Sequence, residues 1–179
     1  MPELSLPVSS VHESFLMAMD ELEAEGRGGP HDETMIGQEI RDWSGRWGTP
    51  GGFAVYVTWL RAQAEEETPR PEAWVPSTTW WWIEDSAYLG RIALRHRLTD
   101  RLRNGGGHIG YDVRPSARRR GHATAMLASV LPMARAMGID PALVTCEVDN
   151  VASRRVIEVN GGMLEDEVDG KLRFWLSTS

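Results

Sequence analysis

The hydrophobic period of this chain changes once, and that change limits the folds open to it. Up to residue 66 apolar side chains recur at helical spacing. Val11, Phe15, Leu16, Met19 and Leu22 share one face, then Met35, Ile36, Ile40 and Trp43 over 33–43, then Phe53, Tyr56, Val57 and Leu60 over 53–66. Glu25 to Pro30 and Gly48 to Gly52 break the chain between them, and the proline-rich stretch 68–76 is a connector. From Thr78 onward the pattern is that of strands. Strands are expected over 78–83, 88–96 and 108–113, then a helix over 121–138, a strand over 143–148 and a helix over 152–159. Segments 163–168 and 172–176 flank Asp169-Gly170, a two-residue hairpin signal. Pro132 removes a hydrogen bond from the long helix and predicts a kink. The order is helices, an antiparallel meander, then strand–helix–strand, which must close as a right-handed parallel crossover. The expectation is an α/β class fold: one mixed, mostly antiparallel sheet with helices on both faces. It forms one domain over 1–179, with 1–76 mainly helical and 77–179 holding the sheet.

Charge narrows the function classes. The chain carries 19 basic and 26 acidic residues, a net of −7, and Lys171 is its sole lysine. Residues 1–90 hold 5 basic against 16 acidic groups, whereas 91–120 hold 9 arginines against Asp100 and Asp112. One short basic segment in an acidic protein points to a local anion site and not to the broad basic face of a nucleic-acid binder. No run approaches ~18 apolar residues, so no membrane span is expected. The first ten residues lack the basic start and apolar stretch of a secretory signal. Cys146 stands alone, which removes disulfide frameworks and cysteine zinc cages. A cytoplasmic protein is expected.

The local chemistry concentrates at Val113-Arg114-Pro115-Ser116-Ala117-Arg118-Arg119-Arg120-Gly121-His122-Ala123-Thr124, between a strand end and a helix start. Pro115 stops the strand, Gly121 permits a tight backbone and Ala123 is small. Amides at the helix start lack intrahelical acceptors and, with the helix dipole and adjacent arginines, suit a pyrophosphate. The alternative is an exposed basic loop without a ligand.

Arg118-x-x-Gly121-x-Ala123 resembles the Arg/Gln-x-x-Gly-x-Gly/Ala signature of the GNAT superfamily of N-acetyltransferases. Asn150-x-x-Ser153, following in order, is similar to its second motif, and the Gly107–Tyr111 and Asn160–Gly162 runs resemble a bacterial branch of predicted acetyltransferases. The resemblance implies a GNAT fold and acetyl-CoA as co-substrate, with no metal. It places Val113, Arg114 and neighbouring backbone at the pantetheine arm. Arg118, Arg119, Arg120, Gly121, His122, Ala123 and Thr124 would sit at the phosphates, and Asn150 and Ser153 would approach from the next helix. Many members have a tyrosine seven residues after the motif asparagine, where it protonates the departing thiolate; here that position is Ile157.

Direct transfer requires a group that takes a proton from the amine. Asp112, His108, Glu147 and His96 are candidates. Asp112 is preferred because it adjoins Val113, and Glu147 lies at the next strand's end. Each has an alternative life as a solvated or hydrogen-bonded strand residue. Trp80, Trp81 and Trp82 alternate faces, so at least one is core and another could wall the acceptor site. Cys146 could carry an acetyl group, but a lone strand cysteine is better read as a small buried hydrophobe. Gly105–Gly110 matches a dinucleotide pattern but enters a strand instead of leaving one. The histidines at 12, 31, 96, 108 and 122 have no metal spacing.

The reading is an N-acetyltransferase that moves acetyl from acetyl-CoA directly to a primary amine of a small molecule or peptide. The alternative is a non-catalytic acyl-CoA-binding sensor or scaffold. The acceptor side falls to residues 1–80, and aromatics in 33–43 and 53–66 suggest a homodimer contact. Arg91, Arg95, Arg97, Arg101 and Arg103 either pair with the acidic first half or meet an adenosine phosphate or an acidic substrate.

Overall fold

Strand positions alternate between two cores, and that alternation fixes the architecture. A computed structural model describes all 179 residues. In chain order the elements are β1 (Glu3–Ser5), α1 (His12–Ala24), α2 (Met35–Trp43), α3 (Pro50–Ala62), β2 (Ser77–Glu84) and β3 (Ala87–Arg95). Then follow α4 (Asp100–Asn104), β4 (Ile109–Val113), α5 (His122–Ala136), β5 (Ala142–Glu147), α6 (Val151–Val159), β6 (Met163–Val168) and β7 (Lys171–Leu176). The seven strands form one sheet in the order β1-β2-β3-β4-β5-β7-β6. Every neighbouring pair is antiparallel except β4 and β5, which are parallel. The crossover from β4 through α5 to β5 is the one the sequence requires. No helix is long and apolar enough to cross a membrane.

One face of the sheet packs on α1, α2 and α3. Phe15, Met19, Ile36, Ile40, Trp43, Phe53 and Tyr56 meet Trp81, Ile83 and Tyr88 there. Phe15 sits at the centre, with ring centroids 4.9 Å from Trp47, 5.0 Å from Phe53 and 5.3 Å from both Trp81 and Tyr88. The aromatics expected to serve a dimer contact are largely used up here: Trp43, Phe53 and Tyr56 are all buried. Trp81 is likewise core and walls no acceptor site. The opposite face packs on α5 and α6, where Met126, Leu127, Val130, Ala134 and Ile157 meet Ile92, Leu94, Ile109, Val144 and Phe174.

One boundary and two added elements stand out against the sequence expectation. α3 starts at Pro50, because Thr49 caps the Gly52 amide and proline is favoured in a first turn; the glycines there open the helix instead of breaking the chain. β1 adds an edge strand to β2, too short to leave a period-two signal. α4 forms inside the polar 97–107 loop, with Thr99 capping Leu102. α5 runs through Pro132 as a single element. The Asp169-Gly170 turn has positive φ at both residues, 50° and 76°, as its hairpin geometry demands.

A buried polar network lies under α2. Glu39 and Arg91 are almost fully buried and pair through two hydrogen bonds, of 2.5 and 2.9 Å. The Tyr56 hydroxyl donates to the same carboxylate at 2.5 Å. Burial works against the Arg91 charge, but Glu39 beside it holds the guanidinium above its usual range.

Candidate active site

β4 and β5 part almost as soon as they meet. Their pairing is one residue pair, Ile109 with Val144, after which the strands splay. The Arg114 amide bonds to Leu89 on β3, so by alternation the backbone groups of Gly110 and Asp112 also face β3. Those of Tyr111 and Val113 therefore face the gap. On the α5 side the gap is spanned by Tyr111, whose hydroxyl donates to the Ser153 carbonyl at 3.3 Å. Burial pushes this phenol up to about 12.

Beyond β4 the chain makes a 3-10 turn over Pro115–Ala117 and then runs to α5 with Arg119 at φ 63° and Gly121 at φ 81°. A Cβ on Gly121 would touch nothing within 4 Å, so glycine is needed there for its dihedral and leaves open space in front of the backbone. After Arg118, whose amide bonds the Pro115 carbonyl, the next amide with a protein acceptor is that of Ala125, which bonds to the Gly121 carbonyl. The six preceding amides, Arg119 to Thr124, have none. Amides without acceptors at a helix start, together with the helix dipole, suit anionic oxygen.

The arginines of this segment divide in two. Arg114 is buried, and its guanidinium donates to Glu21 on α1, to the Ser14 hydroxyl at 3.1 Å and to the Tyr88 carbonyl at 3.2 Å. Its side chain faces α1, its amide bonds the Leu89 carbonyl and its own carbonyl accepts from the Ala117 amide, so the structure commits Arg114 to protein contacts where the expectation gave it to the cofactor. Arg118 holds Glu25 through two bonds of 2.8 Å and the Val113 carbonyl at 3.2 Å. Arg119 and Arg120 are exposed and free of ion pairs, available to phosphate. His122 accepts a bond from the Trp82 indole at Nδ1, 3.1 Å. When neutral it therefore carries its proton on Nε2, a donor at the helix start. Ala123 and Thr124 complete the turn.

On α6 the Asn150 side chain caps the helix by accepting from the Ser153 amide at 3.0 Å. The Ser153 hydroxyl is uncommitted. Ile157 is fully buried in the core shared with α5 and offers no ionisable group. Cys146 is buried, and burial pushes its thiol up.

The carboxylates occupy the other face of the sheet. Asp112 and Glu147 each stand three residues past the paired Ile109 and Val144, hence both on the face opposite those core residues, at the splayed ends. Asp112 Oδ1 accepts from Arg27 at 3.0 Å, and its Oδ2 has no protein partner. Arg27 also holds Asp32 at 3.0 Å, fixing the α1–α2 connection over β4. Burial works against the Asp32 charge, but bonds from Thr34, the Gly28 amide and Arg27 bring it down to about 2. Glu147 is exposed and lies 3.5 Å from Lys171. The other candidates have fixed duties. His108 accepts the Leu143 amide at 2.9 Å, and burial with Arg103 and Arg95 nearby lowers it to about 4. His96 bonds Thr78 at 2.8 Å. No group of His, Cys, Asp and Glu side chains in the structure is arranged to hold a metal ion.

Sequence reasoning missed Arg27, Glu21, Glu25 and Asp32, which fasten the site to the helical part. The charge split between the two halves was their signal, but it does not name partners.

A family model described as acetyltransferase (GNAT) domain matches residues 33–163. The chain belongs to the GNAT acetyltransferase family. Membership makes it an acetyl-CoA-dependent acetyltransferase. No curated protein matches it in sequence. Among solved structures, GNAT relatives share its fold. RimJ of Mycobacterium smegmatis, in complex with CoA-disulfide, has a TM-score of 0.65 at 20% identity, over 99% of this chain and 86% of that one. The ribosomal-protein-S5-alanine acetyltransferase of Vibrio fischeri has a TM-score of 0.66 at 11% identity, over 99% and 93%. The PaiA N-acetyltransferase of Thermoplasma acidophilum, in complex with coenzyme A, has a TM-score of 0.59 at 14% identity, over 99% of each.

Proposed function

We propose that this GNAT protein transfers acetyl from acetyl-CoA directly to a primary amine of a small molecule or peptide, with residues 1–179 acting as one domain. The observation that carries the reading is the run of acceptor-free amides from Arg119 to Thr124 beside an open Gly121. The pyrophosphate of acetyl-CoA would take these donors, with charge from Arg119 and Arg120. The pantetheine arm would lie along the gap-facing backbone of Tyr111 and Val113. Asn150 and Ser153 would flank it from α6.

In this reading the amine approaches from the face that carries Asp112 and Glu147. Its nitrogen lone pair forms the C–N bond to the acetyl carbonyl carbon. The C–S bond breaks and its electron pair leaves on the coenzyme thiolate. Asp112, through its free Oδ2, accepts the proton lost by nitrogen, and Glu147 is the second candidate. Arg27 positions Asp112. Acceptors in the form of protein N-termini are supported by relatives such as the Vibrio fischeri enzyme, whose name gives ribosomal protein S5 alanine as its target.

The test is thiol release from acetyl-CoA across a panel of amines, run beside coenzyme A binding by calorimetry. Amine-dependent release is expected. Tight coenzyme A binding with no amine-dependent release by any member of the panel would instead make the chain an acyl-CoA-binding module.

A further inference from the structure

Most of the arginines between 91 and 103 find carboxylates in the acidic first half of the chain or carry no burial cost, and one does neither. Arg91 pairs with Glu39, and exposed Arg97 pairs with Glu66 at 2.8 Å. Arg101 and Arg103 are exposed, with no carboxylate in pairing distance. Arg95, by contrast, is half-buried and has no acidic partner. Its Nη1 donates to the Gly106 and Gly107 carbonyls at 3.0 and 3.2 Å. Its Nε and Nη2 have no acceptor, yet neither is sealed off from solvent as Thr79 Oγ1 and Trp81 Nε1 are. Burial together with the neighbouring Arg91 and Arg101 brings its pKa down to about 10. A guanidinium partly withdrawn from water and left without an anion carries a cost, and an arriving carboxylate offsets it through the two-pronged geometry arginine favours.

The position of this cation gives it a role. Arg95 lies on the same face of the sheet as Arg91 and Asp112, and it reaches along β4 to Gly110. A Cβ on Gly110 would lie 3.7 Å from Nη1 and 3.9 Å from Nη2, so the guanidinium stands beside bare strand. Two residues further on the same face is Asp112, about 7 Å away along an extended chain. The coenzyme phosphates do not compete for Arg95, because the amides of Arg119–Thr124 lie beyond the other end of β4.

We propose that Arg95 is the anion anchor of the acceptor site, so that the amine acceptor is one that also carries a carboxylate about two extended residues from the reacting nitrogen. This rests on the proposal that the amine meets the acetyl group at the Asp112 end of β4. Two sources share the chemistry: a peptide N-terminus followed by an acidic side chain, and a dipeptide or long-chain amino acid whose own free carboxylate lies that far from its amine.

The test uses matched acceptors with the full-length protein and acetyl-CoA. Tetrapeptides amidated at the C-terminus carry Glu or Gln at the first, second or third position. Free long-chain amino acids and dipeptides are compared with their C-terminal amides. Thiol release gives kcat/KM, and calorimetry in the presence of coenzyme A gives binding. The acid member of a pair is expected to be preferred by about 10- to 100-fold, and the responding series identifies the source. Arg95→Gln should reduce that preference to near unity, and Arg95→Lys should restore part of it. Equal turnover of acid and amide partners overturns the anchor while leaving the acetyltransferase proposal intact. So does a preference that persists in Arg95→Gln. Acid-selective binding without turnover supports the anchor and defeats the catalytic proposal. Neither binding nor turnover of any acid overturns the anchor. If Arg95→Gln does not fold, the wild-type pairs and Arg95→Lys still decide.

Discussion

Arg27 reaches from the α1–α2 connection to Asp112 on β4, with Nη1 to Oδ1 at 3.0 Å. The helical first part of the chain thereby orients the carboxylate proposed to take the amine proton. Asp112→Asn should lower kcat by roughly 100-fold or more, the usual contribution of a positioned base, with coenzyme A affinity unchanged by calorimetry. Arg27→Met should lower kcat/KM for the amine by roughly tenfold through lost orientation. Steady-state kinetics on any active amine checks both.

Gly121→Ala separates fold from function. Its φ of 81° makes any side chain strained, at about 1 kcal/mol, but no neighbour obstructs a Cβ. The variant should therefore fold, with a small loss in urea midpoint. Coenzyme A affinity should fall by more than that strain alone implies, because the methyl group would occupy the space in front of the free amides. Paired urea and calorimetric titrations measure the two effects.

The Glu39–Arg91 pair is a structural commitment. Arg91 keeps its charge while buried, so Glu39→Gln should cost about 3–5 kcal/mol by leaving that charge uncompensated. The double substitution Glu39→Gln with Arg91→Met should recover much of the loss. Urea denaturation of the single and double variants reads this directly.

Acid stability follows from groups that resist protonation in the fold. Burial opposes the Glu21 charge, yet hydrogen bonds from Arg114 and Ser116 hold its pKa down to about 2, and Asp32 is also near 2. Both lie below their unfolded values. Their stabilisation is present above about pH 4–4.5 and drains away as pH falls towards 2. His108, held neutral down to about 4, adds a window from about 6.5 to 4 in which only the unfolded chain gains its proton, so stability again falls with pH. Glu21→Gln should flatten the lower part of the curve, and His108→Gln the upper part. Thermal midpoints from pH 7 to 2.5 provide the check.

The regular elements were legible because their apolar residues repeat at fixed periods, as with Phe15 and Met19 on α1 or Ile92 and Leu94 on β3. β1 was not, since three residues at an edge carry no period. The start of α3 was hidden because Gly51-Gly52 reads as a break unless the Thr49 cap and Pro50 are weighed together. In the site, Gly121 announced the tight loop, but nothing local showed that the Arg114 side chain turns away to α1, because sequence gives no direction to a side chain. Its partner Glu21 lies 93 residues earlier, and long-range ion pairs of that kind have no local signature. Trp81 and Trp82 could be assigned to opposite faces, but not which of the two met α1–α3 and which met α5 and α6.

The central claim is that the backbone from Arg119 to Thr124 holds the pyrophosphate of acetyl-CoA while the arm passes along Tyr111 and Val113. Backbone amide NMR during titration with coenzyme A tests it most directly. The largest shifts are predicted at the amides of residues 119–124, with a second group at Tyr111 and Val113 and little change in α1 to α3. Saturable binding that leaves residues 119–124 unperturbed would contradict the account.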